Sequence, residues 1–221
     1  MIAENYDPGM LRQAVRAALD WPDENWYRYT LKKDPGSHSL TEDEIRTALT
    51  KTVQTATDLV KQIAAQYDSP APQELLQVLD IKLEHTDAAL LDSLLVMGLY
   101  EPETRTVTLN GNTIALVRQF IVANGLDDLT PANDIIRIAL FHEIFHALEE
   151  ETPDIYTRSR ILKRKVLGIF PYRRGIDGLA EVGAVHFSKW MAQVPYSPCI
   201  FERYLLLATG RLSIDFLLPN V

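Results

Sequence analysis

The stretch His142-Glu143-Ile144-Phe145-His146 decides how the rest of this 221-residue chain is interpreted. In an α-helix each residue turns by about 100°, so two residues four apart lie about 40° from each other on one face. His142 and His146 can therefore both reach one metal ion, which is the spacing that a helix uses to hold zinc. Glu143 projects about 100° away from His142, which places its carboxylate beside the metal, where it can take a proton from bound water.

The residues around the motif indicate that it is buried. Apolar side chains cover this segment nearly all round, which is typical of a helix in a protein interior. These side chains are Ile135, Ile136, Ile138, Ala139, Leu140, Phe141, Ile144, Phe145, Ala147 and Leu148. Two buried histidines and a buried glutamate are costly unless they are paired or bind a metal. The pattern therefore favours a metal site over a solvated surface helix.

A catalytic zinc site needs a third protein ligand and an open position for water. A third histidine six residues after His146 is excluded, because Thr152 stands there and Glu149 replaces the glycine that would precede it. Glu181 is the candidate instead, since it lies in a run of small apolar residues that lets two helices approach closely. The alternative for Glu181 is a solvated glutamate stabilised by the helix dipole. His186 lies five residues after Glu181, about 140° around the same helix. It is either a substrate-polarising group or a packed or exposed histidine.

These residues resemble the gluzincin branch of the zincin metallopeptidases. The match consists of His142, Glu143 and His146, with Glu181 in a Glu-x-x-Ala-x-x-Phe setting. The run Gly98–Asn110 is similar to the hairpin that precedes the active-site helix in the ImmA/IrrE-like regulatory peptidases. The resemblance extends over residues 73–190. Phe145 departs from it, in place of a glycine often found there, and the N-terminal third has no counterpart.

The resemblance implies an α+β, mostly helical, zincin-like fold with a small mixed sheet packed on the active-site helix. It implies Zn²⁺ held by His142, His146 and Glu181, with Glu143 as the catalytic general base, and an edge strand of the sheet that binds the substrate. By position alone, the candidates for a donor to the oxyanion are Tyr172, Arg173, Arg174 and His186. The candidates for orienting the histidines are Asp154 and Asp177.

Periodicity predicts the remaining elements. Helices are expected at 8–19, at 41–66 with a capping box at Thr41, from Gln73, at 113–123 with Asn112 as N-cap, from Pro131 through the motif, and at 154–167, 177–191 and 198–208. Strands are expected at 79–84, 97–100 and 106–110, and a loop at 168–177. Residues 87–95 fit a helix or a strand. The linker-like run Tyr67–Pro72 predicts an N-terminal helical region over 1–70 and a zincin-like metallopeptidase domain over 71–221.

Composition limits the partners and the location. A net charge of −8 and a pI near 5.1 argue against a nucleic-acid binder. The single cysteine, Cys199, suits a reducing compartment. The first residues lack the pattern of a signal peptide, and no apolar run is long enough to span a bilayer. We expect a cytoplasmic zinc metallopeptidase that hydrolyses a peptide or protein substrate in a regulatory role. The alternative is a zinc-binding zincin-fold module without activity.

Overall fold

The computed structural model describes residues 6–87, 96–159, 161–166 and 170–219, and for 161–166 and 170–174 it describes the backbone alone. The segment that fits a helix or a strand by its sequence, residues 87–95, lies almost wholly outside the described residues. The described part is mostly helical with a small mixed sheet, which confirms the α+β class. None of the described helices is both long and apolar enough to cross a membrane.

The N-terminal region is helical. Its elements are α1 (Pro8–Leu19), α2 (Asp23–Lys32), a short 3-10 turn (Pro35–Ser39) and α3 (Glu42–Gln66). The carboxylate of Asp7 accepts a hydrogen bond from the backbone of Met10 at the start of α1, and Thr41 forms the predicted capping box with Glu44. Helices α1 and α3 are confirmed, whereas α2 was not predicted from its aromatic residues.

A three-stranded mixed sheet precedes the motif helix. After α4 (Pro72–Val78) come β1 (Lys82–Thr86), β2 (Gly98–Glu101) and β3 (Thr106–Asn110). The strand order is β1-β3-β2, with β1 parallel and β2 antiparallel to β3. The predicted hairpin is confirmed, and β1 begins three residues later than predicted. Within the described strands β2 lies at an edge of this sheet.

The motif lies on α6 (Asp134–Glu151), which follows α5 (Gly111–Ala123). Asn110 caps α5, because its side chain accepts a hydrogen bond from the backbone of Thr113; the predicted cap at Asn112 is wrong. Helix α6 begins at Asp134 and not at the predicted Pro131. Strands β2 and β3 pack against α6, so the sheet covers one side of the motif helix.

The chain after α6 differs most from the prediction. A single turn, α7 (Tyr156–Ser159), is followed by the antiparallel hairpin β4 (Ile161–Val166) and β5 (Phe170–Gly175). The helix predicted over 154–167 and the loop predicted over 168–177 are therefore wrong. Asp154 has a positive φ of 56°, a conformation that no helix contains, so α6 cannot continue through it. Two further helices complete the chain, α8 (Gly178–Met191) and α9 (Cys199–Ala208).

Candidate metal centre

His142 and His146 lie on the face of α6 that borders a cavity. Their ring centroids are 5.0 Å apart, and about a fifth of each side chain is exposed. Much of the remaining helix is buried, with Leu140, Ile144 and Phe145 fully covered. The two imidazoles lie on a face of α6 that stays open to a ligand.

Glu181 comes from α8, which packs closely against α6. The close approach depends on Gly183, since a Cβ atom there would lie 2.4 Å from Cζ of Phe145. The ring of Phe145 fills the space above Gly183 and also contacts Phe187, with ring centroids 5.6 Å apart. Phe145, which departs from the resembled motif, is thus matched by a glycine on the facing helix.

The ligand atoms of these three residues converge. Nε2 of His142 lies 3.3 Å from Oε2 of Glu181, and Nε2 of His146 lies 3.5 Å from Oε1 of the same carboxylate. All three side chains offer a ligand atom within 4.8 Å of the others. For zinc–ligand bonds of about 2.0–2.2 Å in a tetrahedron, neighbouring ligand atoms are separated by roughly 3.3–3.5 Å. The two nitrogen–oxygen distances lie in this range, each to a different oxygen of Glu181, and two imidazoles with one carboxylate are ligand types that Zn²⁺ prefers.

Glu143 is buried beside this cluster and faces the same cavity. Its side chain packs on the backbone of Gly98 at the start of β2, where a Cβ atom would lie 2.9 Å from Cγ and 3.0 Å from Oε1 of Glu143. The glycine of the hairpin therefore leaves room for the glutamate. The hairpin and the motif helix hold Glu143 between them.

Glu149 orients His146. Its Oε2 lies 3.5 Å from Nδ1 of His146, and its side chain is almost fully buried. A metal-binding imidazole usually gives its second ring nitrogen to such an acceptor. In the described part of the chain neither Asp154 nor Asp177 contacts an imidazole, so those two candidates are wrong. The spacing of three residues from His146 is the signal that could have identified Glu149.

Negative charge dominates the electrostatics of the cluster. Burial alone would lower the pKa of His146, but the carboxylates of Glu149, Glu181 and Glu143 outweigh it and raise that pKa to about 9. Two opposing effects act on the pKa of Glu181. Burial raises it, but the hydrogen bond to His142 and the charges of His142 and His146 outweigh burial and lower the pKa to about 2. A site that stabilises an extra proton in this way also stabilises a divalent cation.

His186 lies outside the site. Its Nδ1 is 2.7 Å from the hydroxyl of Tyr27, its Nε2 is 2.9 Å from the hydroxyl of Thr57, and it lines neither cavity beside the cluster. Burial lowers its pKa to about 4, so it is neutral at pH 7. It is the packed histidine of the two alternatives. The side chains of Tyr172, Arg173 and Arg174 lie outside the described residues, although their backbone forms part of β5.

Two cavities meet at the cluster. One of about 570 Å³ is bordered by His142, Glu143, His146 and Glu181 and continues past acidic side chains, Glu149, Glu150 and Asp177. The other, of about 290 Å³, is bordered by His142, Glu143 and Glu181 and continues between α6, α8 and α9. Both have Gly98 of the edge strand β2 in their walls, next to Glu143.

Comparison with protein-family models, with curated proteins and with solved structures finds no match to this chain.

Proposed function

We propose that this protein is a zinc-dependent metallopeptidase of the gluzincin type, similar to the ImmA/IrrE-like regulatory peptidases, that acts inside the cell on a peptide or protein. The observation that supports the proposal is the convergence of His142, His146 and Glu181, whose ligand atoms lie within 4.8 Å of one another, beside the buried carboxylate of Glu143. A structural site would take a fourth side chain, whereas these three ligands leave one position open towards a cavity.

His142, His146 and Glu181 would hold the metal. When bound, zinc lowers the pKa of a coordinated water to about 7 and polarises the substrate carbonyl. Glu143 is placed to accept the proton of the attacking water and to return it to the leaving amine. Glu149 holds the tautomer of His146 in which Nε2 is free, because its carboxylate accepts from Nδ1. Gly98 keeps the peptide-binding edge within reach of Glu143.

Metal content and hydrolysis test the proposal separately. The purified protein should hold about one zinc per chain. His142→Ala should lose the metal, because two ligands remain, while the control His85→Ala, an exposed histidine on β1, should keep it. Metal analysis by mass spectrometry measures both. Full zinc occupancy in His142→Ala would contradict the assignment of the ligands.

Glu143→Gln should keep zinc and lose cleavage of a mixed peptide library, since glutamine cannot accept the proton. The matched control Glu84→Gln changes an exposed glutamate on β1 and should cleave like the unaltered protein. Equal cleavage by Glu143→Gln would contradict the role of Glu143. Stoichiometric zinc in the unaltered protein with no cleavage of any peptide would contradict the enzymatic proposal and leave a zinc-binding module.

A further inference from the structure

The antiparallel hairpin of β4 and β5 carries charge of one sign only. Its two strands contain five basic residues and no acidic one, although the whole chain has 30 acidic residues against 22 basic ones. The basic residues are Lys163, Arg164, Lys165, Arg173 and Arg174. A basic cluster on an acidic chain attracts an anionic partner to that one place, because the rest of the chain repels it.

The register of the hairpin separates these charges from an apolar end. Val166 pairs with Phe170 in the row nearest the turn, so this row is apolar. Each of the next four rows contains a basic residue, and the rows pair Lys165 with Pro171, Arg164 with Tyr172, Lys163 with Arg173 and Leu162 with Arg174. Because strand residues advance by about 3.4 Å, all four basic rows begin within about 14 Å of the apolar row.

Basic residues lie on both faces of the hairpin. Successive residues of a strand alternate between the two faces, and directly opposite residues share a face. The register therefore places Lys163, Lys165 and Arg173 on one face, and Arg164 with Arg174 on the other. Positive charge surrounds the hairpin behind its apolar end, whichever face is turned towards a surface.

An apolar end followed by a basic belt corresponds to the layers of an anionic membrane surface. In such a surface apolar groups enter the boundary between headgroups and acyl chains, and lysines and arginines behind them meet the anionic headgroups. Tyr172, two rows behind the apolar one, is an aromatic residue of the type that is enriched at this depth. A nucleic acid or an acidic polypeptide would use the charge but would offer Val166 and Phe170 no apolar environment.

We infer that the β4–β5 hairpin docks this protein onto membrane surfaces that contain anionic lipids. The inference goes beyond the proposed function and does not depend on zinc. Both ends of the hairpin lie at the larger cavity, because Thr157 before β4 and Gly175 at the end of β5 border it. Gly175 lies five residues from Phe170 along β5, so docking by the apolar end places this cavity about 17 Å from that end.

Sedimentation of the full chain with lipid vesicles tests the inference. The probes are vesicles of phosphatidylcholine alone and of phosphatidylcholine with about a third phosphatidylserine, at about 0.1 M salt. Each lysine or arginine near an anionic surface strengthens binding by about fivefold. We expect the protein to sediment with the anionic vesicles and to stay in solution with the neutral ones. Equal binding to both, or binding to neither, would overturn the inference.

Loss of charge tests whether the hairpin is the docking element. A triple variant with Lys163→Gln, Lys165→Gln and Arg173→Gln should bind anionic vesicles about a hundredfold more weakly, because three cations are lost. The control makes the same change at three exposed basic residues of α3 and β1, which are Arg46, Lys61 and Lys82. It has the same net charge and should bind like the unaltered protein. Equal losses in the two triple variants would overturn the assignment to the hairpin.

Loss of the apolar row distinguishes a membrane from a soluble polyanion. Val166→Ser with Phe170→Ser keeps every charge and should weaken vesicle binding by at least about tenfold, because the row no longer favours the lipid. The control Val122→Ser with Phe216→Ser changes exposed apolar residues elsewhere and should bind normally. Circular dichroism and the unfolding midpoint check the fold of each variant, and the lipid comparison with the unaltered protein stands without them. Unchanged vesicle binding in a folded Val166→Ser, Phe170→Ser protein would overturn the inference in favour of a soluble polyanion.

Discussion

Gly183 lies where the two helices that carry the proposed metal ligands come closest to each other. Replacing it with alanine would place a Cβ atom 2.4 Å from Cζ and 2.8 Å from Cε1 of Phe145. Carbon atoms in contact prefer about 3.5–4.0 Å, so α8 and the ring must separate by about 1 Å. Both residues are buried, which leaves the ring no open space to enter. Glu181 lies two residues before Gly183, on the same rigid helix, and would move with it.

We expect Gly183→Ala to lower the zinc affinity more than it lowers the free energy of unfolding. Overpacking in a core costs about 1–3 kcal/mol, and the better helix propensity of alanine returns about 1 kcal/mol. Gly183→Ala should therefore lower the free energy of unfolding by at most about 2 kcal/mol. Ligand distances, in contrast, tolerate only about 0.2 Å of error. We expect the zinc affinity to fall by about ten- to a hundredfold, as when a residue that supports a ligand is lost.

A chromophoric chelator in competition with the protein measures the zinc affinity, and denaturant unfolding measures the stability. Gly9→Ala is the control for zinc affinity, because its added Cβ meets only Oδ1 of Asp7, 3.2 Å away at the start of α1, and no residue that borders the candidate site. The double variant Phe145→Leu with Gly183→Ala should recover most of the zinc affinity, since leucine has no atom where Cζ of Phe145 lies. Unchanged zinc affinity in Gly183→Ala, or no recovery in the double variant, would refute the reasoning.

Three further results are expected. Glu149→Gln should weaken zinc binding by about ten- to a hundredfold, because the amide accepts less strongly from Nδ1 of His146; chelator competition against the control Glu84→Gln measures it. Gly98→Ala should reduce hydrolysis with zinc retained, since its Cβ displaces Glu143; equal cleavage would contradict this. Below pH 9 the carboxylates keep His146 protonated in the metal-free protein, because they raise its pKa to about 9. Zinc binding in that range should therefore release this proton. Calorimetric titration of zinc in two buffers of different ionisation enthalpy should then give different apparent heats.

The clustering of the candidate ligands on α6 was predictable because helix geometry is local. His142, Glu143 and His146 occupy one turn of α6, so their relative directions follow from the spacing alone. The convergence of Glu181 with them agrees with the reading of small residues on α8 as a close helix contact, for which Gly183 is the cause. The 140° between Glu181 and His186 likewise leaves His186 on another face, where it meets Tyr27 and Thr57.

The parts that sequence reasoning missed depend on pairing across the chain. Strands β4 and β5 stabilise each other as an antiparallel pair, with Ile161 opposite Gly175 and Val166 opposite Phe170. The residue pattern of either strand alone does not indicate this pairing. The smaller cavity beside the cluster could not be predicted for the same reason. Its walls come from α2, α6, α8 and α9, and only tertiary packing brings Thr30 near Phe201.

The N-terminal helices affect the candidate site through the helix that carries Glu181. The carboxylate of Asp34, after α2, accepts a hydrogen bond of 3.1 Å from the backbone N–H of Gly178, the first residue of α8. A carboxylate at a helix N-terminus accepts from a backbone N–H that has no partner within the helix, and its negative charge interacts favourably with the helix dipole. Asp34 therefore stabilises the first turn of α8, on which Glu181 lies. His186 joins the same helix to Tyr27 on α2 and Thr57 on α3. The predicted boundary at residues 67–72 stays a prediction, but the position of Glu181, the proposed third ligand, depends on contacts from both sides of that boundary.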